Sequence, residues 1–305
     1  HPHHYGKSPY TGTFSGFPCN LTASLKWSWH HPEGKYKTMI MGAPVIDGGR
    51  NLYLTVLHGI LKFGPDGTSL WSWIKPEDWH YYFMNTPALM DGLLYTCSTD
   101  AKVYALDMET GQVVWTTQLE TTFGISGDDG FLVARDGRVL LDADRNEGLS
   151  HRPNIVVCLN GTTGKLIWEF EPDVGVWNFL PMFPQSGGAS DGTIVFQSIS
   201  GSAYRINVTT GEQVWRAGPQ PSEATFTDGG AALGPNNVLY TVSSLGRQSA
   251  SRSDRGGLHA FKVDDGQLLW ENTTLHAGIF TWPVVAQLEE GAKLSVVTGV
   301  GSLPS

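Results

Sequence analysis

The residues best suited to chemistry stand in three short irregular stretches. KPEDWHYYFMN places Trp79, His80, Tyr81, Tyr82 and Asn85 within seven positions. DVGVWNFLPMF carries Trp177 and Asn178, and LHAGIFTW carries His276 and Phe280. Aromatic rings with polar tips offer flat contact area at a wet surface, and an amide or imidazole beside them adds directional hydrogen bonds. The set suits binding of a protein, a glycan or a small molecule. Proton transfer is the competing chemistry, with His80, His276 or His151 as the base, because imidazole titrates near neutral pH. The run Trp79–Phe83 cannot bury every ring in one strand, so at least two rings should border solvent or ligand. Trp177 and Phe280 read equally well as apolar plugs. No metal site is expected. The chain has no HExxH and no paired-cysteine zinc spacing, and Gly-Asp128-Asp129-Gly reads as an acidic turn.

What positions these stretches is a repeat. A glycine, three residues and a tryptophan recur at Gly67–Trp71, Gly111–Trp115, Gly164–Trp168, Gly211–Trp215 and Gly266–Trp270. The tryptophans are 44, 53, 47 and 55 residues apart, a period that marks a repeat architecture. KVYALDMETGQVVW aligns with IVVCLNGTTGKLIW, SAYRINVTTGEQVW, GLHAFKVDDGQLLW and GILKFGPDGTSLW. Short apolar or alternating runs bounded by Gly, Asp and Asn are strands joined by tight turns. Four per repeat in an antiparallel meander make one propeller blade. Pro44, Pro87, Pro184 and Pro283 recur in the first strand, an edge that needs no ladder donor. The tryptophan should bury its ring between neighbouring blades.

The expected fold is therefore an all-β propeller of six four-stranded blades. Residues 1–16 are set aside as a tail, and residues 17–305 form one propeller domain. Its blades span about 39–73, 83–119, 123–171, 179–217 and 223–273, with a sixth made of 280–300 plus 17–29. In that sixth blade, N-terminal strands complete the C-terminal one and close the ring, which removes exposed sheet edges. A larger propeller of which this chain is a part is the competing reading. In a meander, the second-to-third-strand loops and the blade-to-blade connections share one end, the top. The irregular aromatic stretches fall there, as do loops bringing Arg145, Arg152, Arg247, Arg252 and Arg255.

Net charge is −9 with pI about 5.5, which argues against a nucleic-acid partner. No apolar run approaches the ~20 residues that span a bilayer. Four Asn-x-Thr sequons, at Asn20, Asn160, Asn207 and Asn272, point to a glycosylated protein that is extracellular or in the secretory-pathway lumen. Turn chemistry that favours Asn and Thr is the other source of such sequons. Three of them fall in third-to-fourth-strand turns at the bottom. Three cysteines leave at least one unpaired within the chain, and Cys97 and Cys158 sit in strand-like runs as small hydrophobes.

The pattern around VYALDMETGQVVW resembles the PQQ-like, quinoprotein-type propeller repeat with its tryptophan-docking motif, over about residues 17–300. That family includes quinone-cofactor dehydrogenases, outer-membrane assembly lipoproteins and stress-sensor lumenal domains. The resemblance implies either a binding module at the top face or a PQQ- and calcium-dependent sugar or alcohol oxidoreductase. Another propeller enzyme with its site at the top of the channel, or a purely structural subunit, also fits. The alcohol dehydrogenases of the family have eight blades and a disulfide between adjacent cysteines. This chain departs on both points, and none of their calcium or quinone ligands maps onto it. The primary expectation is a secreted binding module, with its cofactor, if any, unknown.

Overall fold

The computed structural model describes residues 25–34, 37–76, 80–83, 85–120, 132–144, 154–176, 179–184, 192–219, 227, 230–245, 255–288 and 291–301. Among these residues every regular element is a strand, and all the sheets are antiparallel meanders. The first sheet is β1 (Val45–Ile46), β2 (Leu52–Val56), β3 (Gly59–Phe63) and β4 (Ser69–Ile74). The second is β5 (Ala88–Met90), β6 (Leu93–Cys97), β7 (Lys102–Asp107) and β8 (Val113–Gln118). The third is β9 (Val133–Arg135), β10 (Arg138–Asp144), β11 (Asn154–Asn160) and β12 (Leu166–Phe170).

In the fourth sheet the first strand shrinks to one bridge, Met182 to Val195, ahead of β13 (Thr193–Gln197), β14 (Ala203–Asn207) and β15 (Gln213–Ala217). The fifth is β16 (Ala232–Leu233), β17 (Val238–Leu245), β18 (Arg255–Lys262) and β19 (Leu268–Leu275). The sixth has two strands, β20 (Val284–Gln287) and β21 (Leu294–Val297). Pro44, Pro87 and Pro283 stand immediately before β1, β5 and β20, where no ladder donor is lost.

Four of the five repeat tryptophans reach the next sheet. The indole N–H of Trp71, Trp115, Trp168 and Trp215 donates to a backbone carbonyl there: Met108, Gly161, Val208 and Val263, at 2.8–3.1 Å. The rings lie on the turn glycine of that neighbour. A β-carbon on Gly111 would stand 2.7 Å from the Trp71 ring, and Gly111 has φ 72°, so both contact and conformation require glycine. In five sheets the ladder slips one residue beside the tryptophan, between Lys62 and Phe63, Ala105 and Leu106, Cys158 and Leu159, Arg205 and Ile206, and Ala260 and Phe261. Such a bulge sharpens local twist and re-aims a side chain, and in the first four sheets it accompanies a ring turned toward the neighbouring blade.

Trp270 departs from the series. Its ring packs on Tyr240 of its own sheet, 5.9 Å between centroids, and is 42% exposed. Trp27 takes the docking place on the first sheet, over Gly67, and Trp27 and Trp29 pack on Phe63 at 5.9 and 5.6 Å. No strand forms over residues 25–29, where a fourth strand is expected. Its expected ladder partner, in residues 17–24, lies outside the described residues.

The core sits between sheets as well as within them. One cluster joins Tyr95, Cys97 and Val103 to Val139, Leu141 and Val157. Others join the third sheet to the fourth through Cys158 and Phe196, and the fourth to the fifth through Val195 and Phe261. First strands converge: β5 lies against β9, and β16 against β20. This places the first strands at the inside of the ring and the tryptophan-bearing strands at its rim.

Candidate functional site

The top end is tied together by loop-to-loop hydrogen bonds. Phe83 N donates to Leu57 O, Thr99 N to Tyr82 O, and Ile199 N to Gly175 O. The connection between the first and second sheets begins at Lys75, whose buried ammonium meets Asp100 Oδ2 at 2.5 Å. Asp100 stands in the β6–β7 turn, where Ser98 Oγ also donates to it and Lys102 Nζ lies 3.7 Å away. Burial pushes the Asp100 carboxyl up, but the Lys75 and Ser98 hydrogen bonds and the two ammonium charges outweigh it. The net effect holds its pKa below the ordinary aspartate value. The Asp100 carboxylate is thus held by ion pairs and a hydrogen bond beneath the aromatic strip.

On this frame Tyr81 is 42% exposed, with the Lys75 ammonium 5.3 Å from its ring centre, a cation–π contact. Tyr82 is 36% exposed, and its backbone is clamped on both sides by Thr99. His80 is exposed beside them. Phe83 turns the other way and is fully buried against Trp73 and Tyr104. Asn85 is buried as well. Its Nδ2 donates to Cys97 O at 2.7 Å and its Oδ1 accepts from Thr96 Oγ1 at 2.9 Å. This proposed ligand contact is therefore a strand-end fastener with its amide committed inside the blade.

His276 is exposed and Phe280 half-buried in the connection between the fifth and sixth sheets, a different connection from the one that carries the tyrosines. Phe280 closes over the backbone of Gly278. Trp79, Trp177, Asn178, His151, Asp128, Asp129 and the arginines at 145, 152, 247 and 252 lie outside the described residues, as does Asn20.

At the bottom end, Asn160 Oδ1 accepts from Thr162 N, Thr163 N and Thr163 Oγ1 at 2.9–3.1 Å. Asn207 Oδ1 does the same for Thr209 N and Thr210 N. Asp107 fills the equivalent turn in the second sheet, bonding Glu109 N, Thr110 N and Thr110 Oγ1 without forming a sequon. A side-chain acceptor followed by threonine is thus what the turn itself needs. Asn272 makes a like contact, from β19, to Thr274.

Two features escape a sequence reading. Ser243, His259 and Glu271 line up across β17, β18 and β19, with Ser243 Oγ 3.1 Å from Nε2 and Glu271 Oε2 3.4 Å from Nδ1. Ser243 is fully buried. A hydroxyl without solvent access fastens strands rather than attacking a substrate. The second is a cavity of about 220 Å3 at the bottom end between the third and fourth sheets. Arg135, Asp136, Arg138, Phe183, Pro184 and Val208 line it.

A family model described as outer membrane protein assembly factor BamB matches residues 58–152 and 149–278. The chain belongs to this family of PQQ-like propeller repeats. Within it, this BamB-family chain is 27% identical over 144 residues to tetrathionate hydrolase of Acidithiobacillus ferrooxidans, covering 43% of itself and 28% of that protein. It is 21% identical over 241 residues to BamB of Burkholderia pseudomallei, covering 70% of itself and 61% of that protein. The chain thus spans less than two thirds of either relative. In structure it resembles the quinohemoprotein alcohol dehydrogenase of Pseudomonas putida HK5, with a TM-score of 0.54 and 14% identity over 85% of this chain and 62% of that one. The shared feature is the propeller fold.

PQQ and calcium can be tested against the donors present. A tricarboxylate quinone needs several uncommitted cations at the top mouth. Among the described residues, Lys75 and Lys102 face Asp100, and Arg216 lies 3.3 Å from Asp173. Arg255 is exposed at the start of β18. These groups do not form a cradle for the quinone, and no chemical step is assigned to it.

Proposed function

We propose that this BamB-family propeller is a binding module that engages a protein partner through the His80–Tyr82 strip. The observation that carries this reading is that Tyr81 and Tyr82 are exposed while the loop beneath them is locked by Lys75 and Asp100. A rigid backbone presenting tyrosine rings loses little entropy on binding, and tyrosine is enriched among interface hot spots. The assembly-factor relatives support a protein partner over a glycan or a small molecule. The same reading makes the chain a secreted glycoprotein, with glycans at Asn160 and Asn207 on the bottom end.

A photo-crosslinking residue at position 82, in cells that secrete the protein, should give a discrete adduct that the same residue at Glu109, exposed in the bottom β7–β8 turn, does not. Equal capture at both positions, or none at either, would sink the proposal. Peptide mapping of the secreted protein should find glycans on Asn160 and Asn207. Bare asparagines there would reduce both sequons to turn chemistry. The fold likeness to an alcohol dehydrogenase motivates one further arm. Retained quinone after soaking with PQQ and calcium, with dye reduction by sugars or alcohols, would replace the binding reading with an oxidoreductase.

A further inference from the structure

We propose that the bottom cavity between the third and fourth sheets is a binding site for a monocarboxylate with a short apolar body. It is separate from the tyrosine strip, at the opposite end of the blades.

The argument starts from a hairpin. Arg135 ends β9 and Arg138 begins β10, and the two are direct partners in the ladder. The Asp136–Gly137 turn between them has positive φ at both residues, 50° and 74°, as a two-residue hairpin requires. Directly paired residues project to the same face, and like charges there repel. Asp136 Oδ2 lies 3.3 Å from Arg135 Nε, but Asp136 points to solvent with its side chain 79% exposed. One carboxylate against two guanidinium groups leaves a surplus of a single positive charge at the cavity, in a protein whose net charge is −9.

Both guanidinium groups are held. Arg135 lies over the Phe183 ring, 4.5 Å from its centre. The guanidinium's N–H donors lie in its own plane, at its edge, where a planar carboxylate meets them. Arg138 is braced by Nη1 to Asp136 O at 3.2 Å and Nη2 to Thr209 Oγ1 at 3.4 Å. Its Nε is buried and has no hydrogen-bond partner. Nη1 and Nη2 each keep a second N–H for a ligand oxygen. Phe183, Pro184 and Val208 supply an apolar wall. A cavity of about 220 Å3 holds the equivalent of roughly seven waters at ~30 Å3 each. One negative charge, a planar head and a body of a few carbons match these features. A dianion would exceed the surplus charge and face Asp136.

The carboxylate could belong to a free small acid or to the C-terminus of a peptide ending in an apolar residue. The test titrates the full chain with hexanoate, with its neutral isostere hexanamide, and with a short acetylated peptide ending in leucine, as free acid and as amide. Calorimetry gives affinity, and chemical shifts of the Phe183 ring give location. Hexanoate, the peptide acid or both should bind, perturb Phe183 and weaken with added salt, and the amides should bind at least about tenfold more weakly. Which acid binds identifies the source. Arg138→Gln should weaken binding by about tenfold or more. Because Arg138 also braces the Asn207 turn, Arg135→Gln, at the exposed side of the cavity, repeats the test if the first variant does not fold. Equal binding of acid and amide, binding that leaves Phe183 unperturbed, no binding of any acid, or unchanged affinity in a folded arginine variant overturns the proposal.

Discussion

His259 lies on β18 between Ser243 on β17 and Glu271 on β19, and is 3% exposed. Burial disfavours the imidazolium, and the Glu271 carboxylate opposes that only in part, so its pKa in the fold lies below the ordinary value. The neutral ring is the form the fold prefers. Its contribution to stability is complete above about pH 6.5 and is lost as pH falls through the lower folded-state value. Urea midpoints measured from pH 7.5 down to 5 should therefore fall more steeply for the native protein than for His259→Gln. Equal slopes would remove His259 from the titration. The buried thiols make a second case. Burial pushes Cys158 up to about 12, and Cys97, also beside Asp142, is raised further. Neither should react with a maleimide at pH 8 until the protein unfolds, as peptide mapping would show. Asn85 carries the same lesson for sequence reading. An amide in an aromatic stretch reads as a ligand contact, but its partners Thr96 and Cys97 are strand neighbours that only pairing brings near.

At the scale of elements, the docking tryptophan joins one blade to the next, and its glycine supplies both the turn and the space. Two glycines separate those roles. Gly111 and Gly92 both have positive φ, 72° and 80°, but only Gly111 faces a ring, while nothing lies within 4 Å of a β-carbon on Gly92. Gly92→Ala should cost about 1 kcal/mol, the conformational part alone. Gly111→Ala should cost about 2–4 kcal/mol, because the Trp71 ring must also move. Chemical denaturation measures the difference, and equal losses would mean that docking adds nothing to the turn. The spacing of glycine and tryptophan makes this element legible in the sequence. The bulge that aims the ring is not legible there, because it is a property of two paired strands and leaves no residue signature in one of them.

For the whole molecule, each sheet buries apolar surface against the next, so stability passes from neighbour to neighbour as in other repeat proteins. The sixth sheet covers Ala232, Val238 and Tyr240 with Val285 and Val296. A chain ending at residue 277 should expose that patch, bind a hydrophobic dye and unfold at a lower urea midpoint than the full chain. Unchanged dye binding and midpoint would show that the fifth sheet does not depend on the sixth.

Residue order alone determined the all-β class, the repeat, the strand-and-turn plan and the docking role of four of the five repeat tryptophans. These rest on local rules of spacing, turn glycines and alternation, repeated often enough to agree. It also marked the Trp79–Phe83 run, because five consecutive large side chains cannot all face inward. Only the tertiary structure decided that Asn85 and Phe83 are spent in the core, that Ser243, His259 and Glu271 meet, and that Arg135, Arg138 and Phe183 enclose a cavity at the opposite end. Those groups come from different strands or different sheets. Their distances are set by ladder register and blade packing, which a linear spacing does not encode.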